Sequence, residues 1–113
     1  LLETSHLVAE RADLDSWSFA FQSESPTGEP WLGPDILDEL DSLKARDVER
    51  VLACPVGFVS DHLEILWDLD VEARERAEEL GLEFDRIRSL NDDTAFVRGL
   101  AELVRETVSV PLA

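Results

Sequence analysis

Three carboxylates, Glu64, Asp68 and Glu72, follow one another at intervals of four residues. On an α-helix that spacing sets all three on one face, over about 12 Å at the usual rise per residue. Like charges four apart repel by roughly 0.2–0.5 kcal/mol per pair. Two such pairs in succession are a local cost that helix formation alone does not explain. A row of hard oxygens suits divalent cations, Mg2+ and iron among them, and the neighbouring imidazole of His62 suits iron, zinc or copper. Asp61 stands beside it.

The same residues also fit a plainer pattern. Asp61 and Glu64 have the spacing of a capping box, aspartate at the N-cap and glutamate at the third helical position. Asp70 with Arg74 and Glu72 with Arg76 have the spacing of ordinary helical ion pairs. On pattern alone a solvated acidic face is the commoner outcome, His62 an ordinary surface histidine, and Trp31 and Trp67 core or groove walls.

The elements that must position these residues can be read from periodicity and punctuation. Residues 3–12 read as a short helix. Trp17, Phe19 and Phe21 alternate with smaller or polar residues and predict a strand over 17–22. Residues 23–34 hold two serines, two glycines and three prolines and read as a loop. Ile36, Leu37, Leu40 and Leu43 give a helix over 35–45. Residues 49–54 read as a strand with an apolar end, suited to a parallel sheet buried on both faces. After a connector over 55–60 comes the longest helix, 61–80, which Gly81 closes. A third strand over 82–88, a loop over 89–93 with good N-cap residues and a helix over 94–108 complete the chain. Strands separated by helices run parallel. The expected fold is therefore α/β, a three-layer sandwich around a parallel sheet of at least three strands, one domain spanning residues 1–113. In open parallel sheets ligands bind at the carboxyl ends of the strands, where Asp61, His62 and Glu64 would stand.

Composition narrows the function classes. The chain has 113 residues, 44% of them hydrophobic, enough for one domain with its own core. Twenty-six acidic against ten basic residues give a net charge of −16. That surface repels nucleic acid and anionic lipid and attracts cations. The one cysteine, Cys54, can form neither an internal disulfide nor a metal site by itself, and it fits a reducing compartment. No apolar run is long enough to span a bilayer, and no signal-peptide pattern opens the chain. The chain contains no methionine and starts at Leu1, so it reads as a piece of something longer.

The segment Cys54-Pro55-Val56-Gly57-Phe58-Val59-Ser60-Asp61-His62-Leu63-Glu64, with its continuation through Trp67-Asp68-Leu69-Asp70-Val71-Glu72, resembles the signature of the ferrochelatases. That signature runs Pro-x-(Gly/Ala)-Phe-x-(Ser/Ala)-Asp-His-(Ile/Leu)-Glu, then an acid-rich turn ending in Asp-x-Glu. Phe21-Gln22-Ser23 and Pro30-Trp31-Leu32-Gly33-Pro34-Asp35 resemble a second motif of the same family, and residues 3–10 fit the helix before it. The run at Trp67 is closest to bacterial members, actinobacterial ones especially.

The resemblance implies an enzyme of haem biosynthesis that inserts ferrous iron, as substrate, into protoporphyrin IX or coproporphyrin III. It implies two similar α/β domains around a porphyrin cleft, of which this chain is the C-terminal one and the N-terminal domain its absent partner. It makes Glu64 the carboxylate facing porphyrin and metal, with Asp61 and His62 as motif neighbours and Asp68 and Glu72 as an acidic row carrying metal toward it. Trp31, Phe58 and Ser60 become cleft candidates. The family's other metal-site histidine belongs to a motif upstream of Glu3, so the isolated chain is expected to be inactive. No iron–sulfur cluster is expected of Cys54 alone, and a cytoplasmic location is expected. Two alternatives remain at this point: a non-catalytic metal-binding or interaction module of the same fold, and a small homodimeric chelatase. The second is disfavoured because the chain lacks histidine ligands of its own near the N-terminus.

Overall fold

The computed structural model describes residues 1–22 and 33–109. Helix α1 covers Leu2–Arg11 and α2 covers Ile36–Ala45. Strand β1 is Arg50–Ala53, and β2 is Glu83–Arg86. Between them the expected single long helix is three pieces: α3 over Leu63–Trp67, a π-helical segment over Asp68–Ala73, and α4 over Arg74–Leu80. Helix α5, Thr94–Ser109, follows β2.

Local chemistry accounts for most of the ends. The Asp35 carboxylate accepts from the Leu37 amide at 3.0 Å and caps α2. Helix α4 stops at Gly81, whose φ of 69° lies in the left-handed region. The Leu82 amide donates to the Ala77 carbonyl and the Gly81 amide to the Glu78 carbonyl, the two bonds of a Schellman motif. At α5 the Asp93 side chain accepts from the Phe96 amide at 3.0 Å.

The strands β1 and β2 pair in parallel, Arg50 opposite Glu83 through Ala53 opposite Arg86. Leu40, Ile65, Leu69, Ala73, Ala77, Leu82 and Phe84 form the core cluster, with Ile36, Leu37, Val51, Ala53, Phe58 and Leu80 packed against it. The fold is thus α/β, but among the described residues the sheet has two strands. The expected strand over 17–22 reduces to a single parallel bridge, Phe21 with Asp35. The rest of its alternating pattern is spent on ring contacts: Trp17 lies edge-on to His6 at 4.8 Å and Phe19 to Phe21 at 5.0 Å. Nor is β1 covered on both faces, since Val51 and Ala53 are half-buried while Leu52 is 67% exposed.

Much apolar surface stays open. Helix α5 buries none of its residues, although Val97, Leu100, Leu103, Val104 and Val108 form its apolar stripe. The chain's radius of gyration is 17.2 Å, against about 13 Å for a compact domain of this length. Its accessible surface is 8668 Å², where roughly 6,200 Å² is usual for its mass.

Candidate functional site at the carboxyl edge of the sheet

The site is built on the connector after β1 and the loop after β2, both leaving the carboxyl edge of the sheet. Asp61 holds them together. Its carboxylate accepts from the Ser89 amide at 3.1 Å, the Asn91 side-chain amide at 3.0 Å and the Arg86 guanidinium at 2.7 Å. Its own amide donates to the Asn91 side-chain oxygen at 2.8 Å. The Asn91 amide donates to the Val59 carbonyl at 2.7 Å, and the loop there takes a left-handed turn, with Asn91 at φ 50°. The donors on Asn91, Ser89 and Arg86, against a smaller opposing cost of burial, hold the Asp61 carboxyl far below the usual carboxylate range.

Arg86 makes a second, forked contact. Its Nε and Nη2 reach the two carboxylate oxygens of Asp70 at 2.7 and 2.8 Å. Those hydrogen bonds lower the Asp70 pKa, and their charge complement raises that of Arg86. The helical pairs expected from spacing, Asp70 with Arg74 and Glu72 with Arg76, are replaced by other partners. Asp70 turns to Arg86 rather than Arg74, whose guanidinium donates to the Phe84 carbonyl at 3.1 Å. Arg76 reaches Asp41 at 2.7 Å and Glu79 at 2.8 Å rather than Glu72.

The capping expectation is corrected in the same turn. The N-cap of α3 is His62, whose Nδ1 accepts from the Glu64 amide at 3.2 Å, while Asp61 is occupied by the loop after β2. In the neutral ring that acceptor role leaves the proton on Nε2. The ring also meets Phe58 edge-on at 4.4 Å, and the Ser60 carbonyl accepts from the His62 amide at 3.0 Å. Phe58 is half-buried and Ser60 exposed.

The row of three carboxylates does not survive as one exposed face. The π segment starts at Asp68 and turns that carboxylate toward the core. Glu64 and Glu72 are exposed, whereas Asp68 is buried at 9%. Among the described residues, no three histidine, cysteine, aspartate or glutamate side chains converge to hold a metal ion. In the same short helix as Glu64, Leu63, Leu66 and Trp67, which share a helical face, are all exposed, as is Val59 in the connector before it. A shallow cavity of about 280 Å³ lies alongside, lined by Arg88, Ser89, Leu90, Asp92 and Asp93, and neither His62 nor Glu64 lines it. Trp31, the remaining cleft candidate, lies outside the described residues.

Sequence reasoning missed Arg86, Ser89 and Asn91. Arg86 was the discoverable one, a cation ending a strand at the edge where ligands bind, in a chain otherwise dominated by acids.

The sequence matches the family model described as "Ferrochelatase" over residues 1–108. The chain belongs to the ferrochelatase family. It is similar to a ferrochelatase of Herpetosiphon aurantiacus, 53% identical over 104 residues, which are 92% of this chain and 34% of that protein. A coproporphyrin III ferrochelatase of Nocardia farcinica is 46% identical over 105 residues, 92% of this chain and 30% of the relative. A ferrochelatase of Thermus thermophilus is 46% identical over 102 residues, covering 90% and 32%. The chain therefore spans about a third of the length of the curated ferrochelatases it matches. No helix among the described residues is long and apolar enough to cross a membrane.

Proposed function

We propose that this chain forms one wall of a ferrochelatase active site, in which ferrous iron is exchanged for two protons at the centre of a porphyrin, protoporphyrin IX or coproporphyrin III. One observation carries the reading: an exposed carboxylate, Glu64, stands at the rim of the sheet in the first turn of α3, a helix whose Leu63, Leu66 and Trp67 are also exposed. A flat apolar macrocycle needs an apolar wall, and removing its pyrrole protons needs a base aimed at the ring centre. Glu64 is the proposed base. His62, with Nδ1 engaged in the cap, offers Nε2 to the substrate side. Asp61 orients the turn. The exposed Glu72 attracts iron from solvent; Asp68, being buried, takes part only after a rearrangement of the π segment. Among the described residues a resident Mg2+ in that row has no converging ligand set to support it.

The partner in this reading is polypeptide equivalent to the other two thirds of the relatives. The open stripe of α5 and the bare outer face of β1 support it, and the same contact would complete the three-layer sandwich. A cytoplasmic location belongs to the same proposal, resting on the free thiol of Cys54, which fits a reducing compartment. The test is reconstitution. The chain and a polypeptide supplying the remaining length of a ferrochelatase are each expected to be inactive in iron insertion and to turn over when co-folded. Turnover by the isolated chain would refute the half-site. Failure of the co-folded pair to bind porphyrin would favour the non-catalytic module.

A further inference from the structure

The guanidinium of Arg86 touches two parts of the site directly and a third through one of them. It grips Asp70 in the π segment through two parallel bonds of 2.7 and 2.8 Å. It reaches Asp61, in the turn before α3, at 2.7 Å. Through Asp61 it is joined to Ser89 and Asn91 in the loop after β2. Its side chain is only 11% exposed, so water competes little for these donors. Arg86 is itself the last residue of β2, fixed by its register opposite Ala53. A rigid strand end therefore holds both flanks of α3, Asp61 on one side and Asp70 on the other, with His62 and Glu64 between them.

We propose that Arg86 is a positioning residue: its forked contact with Asp61 and Asp70 fixes where the Glu64 carboxylate stands. The inference rests on the reading of Glu64 given above. A second effect follows from the same contacts. Asp61 and Asp70 share one cation, which offsets half of their joint charge and occupies oxygens of both, while Glu64 and Glu72 stay exposed with no ion pair among the described residues. The geometry needs a planar fork. A lysine supplies a similar charge as a single point and cannot span two carboxylates in the same way.

The experiment is Arg86→Lys in the co-folded protein, with two independent readouts. Steady-state iron insertion is expected to lose at least about tenfold in kcat, because small misplacement of a reacting group is costly. The KM values for porphyrin and iron are expected to stay within about twofold. Amide exchange is expected to rise about tenfold or more together at residues 61–66 and 89–91, and to stay unchanged in β1. A kcat within twofold of the parent, or exchange unchanged in those two segments, would overturn the proposal. Should the lysine variant not fold, Asp70→Asn removes one arm alone: faster exchange in the π segment with the 89–91 loop unaltered supports the clamp, and no change in the π segment overturns it. Absence of turnover in the parent protein would refute the reading of Glu64 instead, and amide exchange would still decide for Arg86.

Discussion

Ile65 is the buried anchor of α3, and truncating it tests whether this short helix is held by its core contact. It is 0% exposed and, with Leu40, one of the two largest fully buried side chains. Ile65→Ala removes three carbons, worth about 2.4 kcal/mol at roughly 0.8 kcal/mol per methylene. Incomplete collapse of the cavity raises the cost to about 3–4 kcal/mol. For a chain of this size that is a loss of roughly 12–16 °C in Tm, at about 4 °C per kcal/mol. Ile65→Val, which removes one carbon, is expected to cost about 1 kcal/mol. Leu66 is next in sequence but 44% exposed, so Leu66→Ala is expected to cost less than about 1 kcal/mol. Urea unfolding followed by tryptophan fluorescence measures all three, with Trp67 reporting from the adjacent position. Equal losses for Ile65→Ala and Leu66→Ala would refute this account of the packing.

Three further outcomes follow from the geometry. The Asp61 and Asp70 carboxyls are both lowered by their donors, so their contribution is complete above the unfolded carboxyl value of about 3.9 and is lost as pH falls below it. Asn91→Gly keeps the left-handed backbone but removes the leading donor to Asp61, so its Tm deficit is expected to be steady from about pH 7 to 5 and to narrow below about pH 4; a deficit that widens in acid would contradict the assignment. Gly81→Ala places a Cβ at φ 69° and is expected to cost about 1–2 kcal/mol by thermal unfolding, with no loss contradicting the Schellman stop. Glu64→Gln is expected to shift stability by less than about 0.5 kcal/mol, because it is the Glu64 amide, not its carboxylate, that His62 binds; marked destabilisation would restore the capping-box role.

What the sequence disclosed and what it hid divide along the range of the interactions. Helices α1, α2 and α5 came from apolar periodicity, and the stop at Gly81 from a local backbone requirement. The parallel pairing of β1 with β2 followed from the helix between them. Among the described residues the strand over 17–22 forms one bridge, Phe21 with Asp35, because alternation specifies a face, not a partner. The helix over 61–80 is interrupted by the π segment, whose wider turn lets Ile65, Leu69, Ala73 and Ala77, four residues apart, all stay buried. Arg86 binds carboxylates 16 and 25 residues away, a distance that rules for neighbouring turns cannot reach. The Asp-His-Leu-Glu motif was legible as chemistry, but which of its side chains would serve the loops and which would face solvent was set by those long contacts.

The central claim is that Glu64 removes porphyrin protons while the rest of the edge positions it. The most direct measurement is the single-turnover rate of iron insertion by the co-folded protein carrying Glu64→Gln, with Glu75→Gln as a control elsewhere on the same helical stretch. The account predicts a loss of about 100-fold or more for Glu64→Gln, the usual contribution of a positioned base, with porphyrin affinity retained and the control unaffected. An insertion rate for Glu64→Gln equal to that of the control would contradict it.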